Sequence, residues 1–179
     1  MIKSVKYFGI LVVTASLWVS CSSPADKALD KIRTAEAVLF TSKDKKVDPV
    51  KAKDMLAQYK NYIETYPKSE AIPDLLFKSG ELHMSLKQWL KATGAFHQIT
   101  NSYPKWEKTP EAAFHIAYAF DLGYQEINSP KFLAFARESY KQFIKNYPNH
   151  KLASDAKAAM DLLGMSDKEM IEKFRQKNK

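Results

Sequence analysis

Three stretches of this chain carry one spacing and end on one dipeptide. They are Tyr59, Tyr62 and Tyr66-Pro67; Phe96, Ile99 and Tyr103-Pro104; and Tyr140, Phe143 and Tyr147-Pro148. Their prolines lie 37 and 44 residues apart. The residues after each proline also align: Pro73-Asp74, Pro110-Glu111 and Ser154-Asp155 each begin six residues past it, and Phe77 and Phe114 then share a column. Self-similarity at this period means stacked supersecondary units, each burying its apolar face against the next. Aromatic and apolar residues at i, i+3 and i+7 make one face of a helix. The Tyr-Pro step stops that helix, because the residue before proline is pushed out of helical geometry. A proline beside an acid starts the next one, where a missing N–H costs nothing and negative charge suits the helix N-terminus. The unit is therefore a helical pair.

Other boundary signals agree. Asp48-Pro49, Thr109-Pro110 and Ser129-Pro130 are cap-plus-proline starts, Gly123 and Gly164 mark helix ends, and Ser166 with Glu169 has capping-box spacing. The resulting map is all-α, with helices over 25–40, 49–65, 73–86, 88–102, 110–122, 130–146, 151–163 and 166–176 and no strand. A loop over 123–129 accounts for the longer repeat interval.

The pattern resembles tetratricopeptide repeats. With Pro104 as the family's last conserved column, Gly80, Ala92 and Phe96 fall on its small, small and apolar columns. With Pro148 there, Ala117, Ala136 and Tyr140 do so, once a seven-residue insertion is allowed. Leu76 and Ala113 stand where the family prefers Trp, and Asp161 puts a polar residue in a small-residue column, as in a terminal cap. The resemblance implies a tetratricopeptide-like α-solenoid of about three and a half helical-hairpin repeats over residues 26–179.

The N-terminus carries a different signal. Lys3 and Lys6 precede an apolar run from Tyr7 to Val19, then Ser20 and Cys21, the chain's single cysteine. This is the layout of an export signal, and about 13 apolar residues are too few to span a bilayer comfortably. The junction resembles a bacterial lipobox, with Leu17 four residues before the cysteine where the family prefers three. It implies a signal peptide over 1–20, acylation of Cys21 and a tether over 21–25. An ordinary cleaved signal is the alternative. Ser22, where an aspartate would resemble a retention signal, favours the outer membrane, with the leaflet left open.

A lipobox joined to three Tyr-Pro repeats resembles the BamD/YfiO-like outer-membrane assembly lipoproteins, and also the repeat region of YbgF-type periplasmic proteins. The first resemblance implies a lipid-anchored scaffold working with a β-barrel assembly protein. The second implies a cell-envelope or division coordinator. The chain is short for the first group, whose C-terminal repeats it lacks, and it has no coiled coil like the second. A peptidoglycan- or glycan-acting envelope enzyme or its accessory is the rival from another class.

Composition bounds these readings. With 45% hydrophobic and 12% aromatic residues the chain can bury a core. Losing residues 1–20 removes Lys3 and Lys6 and no acid, so the net charge of +8 becomes +6. Export makes nucleic acid an unsuitable partner for that charge. The basic residues are scattered apart from Lys173, Arg175, Lys177 and Lys179, which suit lipid head groups or a solvated end.

No chemistry-bearing motif emerges. His83, His97, His115 and His150 show no zinc spacing, and neither a nucleophile elbow nor a phosphate loop is present. The expectation is no enzyme, no cofactor and no metal. A binding surface remains. By resemblance, inner-helix positions line a concave groove, which places Asp74, Phe77, Glu81 and Met84 in one unit and Glu111, Phe114, Tyr118 and Asp121 in the next. Apolar anchors ringed by acids suit an extended or helical peptide. Packing between repeats is the alternative role for Phe77 and Phe114.

Overall fold

The computed structural model describes residues 23–40 and 47–177. The expected signal segment and Cys21 lie outside them. The described residues form eight helices and no strand: α1 (Pro24–Phe40), α2 (Pro49–Thr65), α3 (Ile72–Ser85), α4 (Trp89–Ser102), α5 (Thr109–Ile127), α6 (Pro130–Asn146), α7 (Ala153–Leu162) and α8 (Asp167–Lys177). The architecture is a tetratricopeptide-like α-solenoid.

The three Tyr-Pro steps fold alike. Tyr66, Tyr103 and Tyr147 cap α2, α4 and α6, with ψ of 61°, 52° and 54°, out of the helical well. Each tyrosine donates its N–H to a carbonyl four residues back: Tyr62, Ile99 and Phe143. Each then accepts from the backbone three residues on, at Ser69, Trp106 and His150, 2.9–3.1 Å away. Those three residues in turn accept from Ile72, Thr109 and Ala153, which open the next helix. One turn conformation, used three times, sets the angle between successive hairpins.

The aromatic columns are core. Tyr59 and Tyr62 on α2, Phe96 and Ile99 on α4, and Tyr140 and Phe143 on α6 are all at most 3% exposed. Small residues make room for them. Ala92, Ala117 and Ala136 are fully buried, and a Cβ placed on Gly80 of α3 would stand 2.5 Å from Phe96 Cζ of α4. The odd-numbered helices also meet side by side. Lys78 on α3 pairs with Glu36 on α1 at 3.0 Å, and Phe77 on α3 meets His115 on α5 edge to face at 5.4 Å. Tyr59 ties the second layer to the first: its hydroxyl donates to Glu36 at 2.7 Å.

Two expectations are corrected. Helix α5 does not stop at residue 122; it runs to Ile127, and the true stop is Asn128 in the left-handed region at φ 49°. Gly123 is buried inside the helix, where Phe132 of α6 and Trp89 of α4 occupy the space a Cβ would need. The added turn is fastened by Glu126, which accepts from Trp89 Nε1 at 2.7 Å and from Lys87 Nζ at 2.8 Å. The inserted residues thus lengthen a helix rather than form a loop. The tether over 21–25 is likewise shortened, because Pro24 and Ala25 belong to α1. Ser23 opens that helix in a capping box, its N–H donating to Asp26 at 3.0 Å and its hydroxyl accepting Asp26 N–H at 3.1 Å. The expected capping box, Ser166 with Glu169, forms ahead of α8, and Gly164 ends α7 at φ 82°.

Candidate functional site

Helices α3 and α5 are the first helices of consecutive hairpins, so equivalent positions on them share one face. Phe77 and Phe114 are both half-buried there. Between them stands His115, stacked on Phe96 at 5.1 Å and 17°, with Phe77 edge-on to it. Phe114 meets Tyr140 and Phe143 edge to face at 6.0 and 5.6 Å, and Tyr118 lies over Phe114 at 6.1 Å and 23°. Edge-to-face and offset rings at such distances are favourable beyond their buried area. The row therefore grades from core to surface: Phe96 is fully buried, Phe77, His115 and Phe114 are partly covered, and Tyr118 is 38% exposed.

The acids are less free than the sequence implied. Asp74 pairs with Lys78 at 2.9 Å and with Lys108 at 3.7 Å. Glu111 pairs with Lys151 at 3.1 Å and faces His150 at 3.5 Å. Burial pushes the Glu111 carboxyl up, but the Lys151 hydrogen bond and the backbone outweigh it and hold the group below its ordinary value. Glu81 is exposed and takes no ion pair among the described residues. Asp121 is turned inward. It is 9% exposed and accepts from Tyr140 Oη at 3.2 Å and Gln125 Nε2 at 3.0 Å, with its pKa raised by burial. Met84 is half-buried and packs against the main core. The structure thus gathers Asp74, Phe77, Glu111, Phe114 and Tyr118 on one face, leaves Glu81 beside it and turns Asp121 inward.

Three neighbours were missed. Trp106 packs edge-on to Phe77 at 5.8 Å, and Lys108 Nζ lies over both rings, 5.9 Å from Phe77 and 5.6 Å from Trp106. His115 is the third, with a buried Nδ1 that has no partner and a pKa lowered by burial. The repeat itself held a signal for Trp106. It stands three residues after Tyr103, in the column of His150, which packs on Phe143 at 5.8 Å.

This arrangement can grip an apolar or aromatic side chain against Phe114 and Tyr118, with a hydroxyl at the rim. Among the described residues, no group of three His, Cys, Asp or Glu side chains is placed to hold a metal ion. No described helix is long and apolar enough to cross a membrane.

Residues 74–105 match the tetratricopeptide repeat family. The matched stretch runs from Asp74 in the first turn of α3 through α4 and the Tyr103-Pro104 step, nearly the whole of one hairpin. Among curated proteins, none matches the chain. The fold is a tetratricopeptide-like α-solenoid with one hairpin that matches the repeat; proteins built on that repeat generally mediate protein–protein interaction and are typically non-catalytic scaffolds.

Proposed function

We propose that this chain is a lipid-anchored, non-catalytic scaffold of a Gram-negative outer membrane, where it presents the α3–α5 face to another envelope protein during assembly of outer-membrane β-barrel proteins. The exposed ring of Tyr118 stacked on half-buried Phe114 carries the binding half of this reading. An aromatic left open on a row of otherwise covered rings is the kind of residue that anchors a partner. The anchoring half rests on the sequence alone: Cys21 follows an apolar export segment, and acyl chains in the plural hold a membrane stably where one does not.

Two experiments separate the halves. In the full chain produced in a Gram-negative host, Cys21→Ser abolishes labelling by a fatty-acid analogue and releases the protein from membranes, or leaves it unprocessed. Normal labelling and fractionation of that variant refutes the anchor. A photo-crosslinker at Tyr118 captures an envelope protein in living cells, and the same group at exposed Lys157 on α7, outside the α3–α5 pair, does not. Capture of a β-barrel assembly component supports the assembly role, whereas capture of division or peptidoglycan proteins replaces it with a coordinator role. Equal yields at both positions remove the groove.

A further inference from the structure

Helix α8 leaves two of its three large apolar residues exposed. Several of its polar side chains are engaged: Lys173 Nζ donates to the Asp161 carbonyl in the last turn of α7 at 2.9 Å, Glu169 closes the capping box with Ser166, and Glu172 accepts from Gln176 along the helix. Met170 is half-buried and borders a cleft of about 760 Å³ with Tyr124, Leu163 and Met165. That is the side on which α8 docks. Ile171 stands farther round the helix, and Phe174, one turn beyond Met170, stands at that side's edge. They are 53% and 52% exposed, one turn apart on a neighbouring stripe. Lys168 and Arg175 stand three residues before and four after Ile171, so they flank it on the outward edge. Both are exposed, and neither takes an ion pair among the described residues.

We propose that the outward face of α8 is an interfacial membrane contact: Ile171 and Phe174 enter the headgroup region of a bilayer while Lys168 and Arg175 meet anionic head groups. An apolar stripe edged by basic residues on an otherwise polar helix is the arrangement such contacts use. Charge complementarity selects a bilayer over a second copy of the chain. A stable protein interface needs roughly 800 Å² from each side, and two apolar side chains supply only a few hundred at about 150–250 Å² for the aromatic one. A bilayer has no such threshold, since an interfacial contact strengthens with attraction to anionic lipid as well as with buried apolar area. The contact goes beyond the proposed function and stands whether or not Cys21 is acylated.

The test places a reporter on the helix. Cys21 is the only native cysteine, so the full chain carrying Cys21→Ser and Phe174→Cys takes a polarity-sensitive fluorophore at one site. A second chain carries Gln176→Cys instead, on the opposite side of α8. Vesicles of phosphatidylethanolamine with phosphatidylglycerol blue-shift the emission at 174 and leave 176 unchanged, whereas phosphatidylcholine vesicles shift neither. Adding Lys168→Gln and Arg175→Gln weakens the response roughly 10- to 30-fold, as expected for losing two basic residues near an anionic surface. No shift at 174, equal shifts at 174 and 176, or equal shifts with neutral lipid overturns the proposal. A shift at 174 that tracks protein concentration without vesicles overturns it in favour of self-association.

Discussion

One substitution, made at two glycines, isolates the packing on which the solenoid depends. Gly80 lies in α3 and Gly94 in α4, both inside helices. Alanine in place of a helical glycine gains about 1 kcal/mol of helix propensity at either site. At Gly94 nothing lies within 4 Å of the new Cβ, so that gain stands alone. At Gly80 the new Cβ meets Phe96 Cζ, Cε1 and Cε2 at 2.5, 2.6 and 2.8 Å. The ring must retreat by roughly 1 Å to reach ordinary contact. It has nowhere to go, because Phe96 is fully buried, stacked on His115 at 5.1 Å and edged by Phe77 at 5.4 Å. Overpacking of this kind costs about 1–3 kcal/mol. Gly94→Ala is therefore stabilising by up to about 1 kcal/mol, and Gly80→Ala is destabilised relative to it by about 1–3 kcal/mol.

For a chain of this size 1 kcal/mol moves Tm by about 2–4 °C, so the two variants separate by roughly 2–12 °C. Urea unfolding monitored by helical circular dichroism measures the same gap as a change in midpoint at constant m. Propensity cancels between the variants, leaving the clash. Adding Phe96→Leu to Gly80→Ala costs less than the sum of the single changes, since the offending ring is gone. If Gly80→Ala raises stability as much as Gly94→Ala does, the close approach of α3 and α4 is wrong, and with it the alignment of the repeat.

Three further outcomes rest on particular contacts. Tyr118→Ala lowers partner recovery while changing stability by less than about 1 kcal/mol, whereas Phe143→Ala, at a site 1% exposed, loses about 3–5 kcal/mol; melting and capture on the same samples distinguish them. Tyr59→Phe removes a hydroxyl that donates to the carboxylate of Glu36 at 2.7 Å, costing about 1.5–3 kcal/mol and speeding amide exchange across α1; unchanged exchange there refutes the link between the layers. Asp121→Asn is more stable than the parent at pH 7, because burial raises the folded pKa and so penalises the charged form. That penalty is absent below the ordinary value of 3.8 and grows as pH rises through the folded value, so the advantage fades in acid; urea midpoints of both chains across pH read it, and a constant or reversed difference counts against the mechanism.

Local features of the fold were readable because their causes are local. A proline stops a helix through its immediate neighbour, and a capping box closes over three residues, so Tyr66-Pro67 and Ser166 with Glu169 announce themselves. Gly123 defeats the same logic. Glycine ends helices, but it also lets a ring approach one, and the difference lies in Phe132 and Trp89, which are 9 and 34 positions away. The same is true of the charges on the candidate face. Asp74 and Glu111 look like a rim of free acids along their own helices, yet Lys108 and Lys151 reach them from 34 and 40 residues on, just where the next hairpin begins.

The misplacement of Asp121 is a consequence of the longer α5. Had the helix ended at 122, Asp121 would have been its last turn, open to water and free to take part in binding. Five further residues carry the helix on to Ile127, and Tyr140 of α6 stands against Asp121. A carboxylate enclosed by a tyrosine hydroxyl and a glutamine amide contributes to the order of the core, since a buried polar group must find its partners to be tolerated. The face left for a partner is therefore shorter than the family pattern implies: Phe77 and Trp106 under Lys108 at one end, Phe114 and Tyr118 at the other. Its charges are largely satisfied within the chain, so if the proposed docking holds, recognition there rests on ring contact and shape, with salt affecting the rate of encounter more than the strength of the complex.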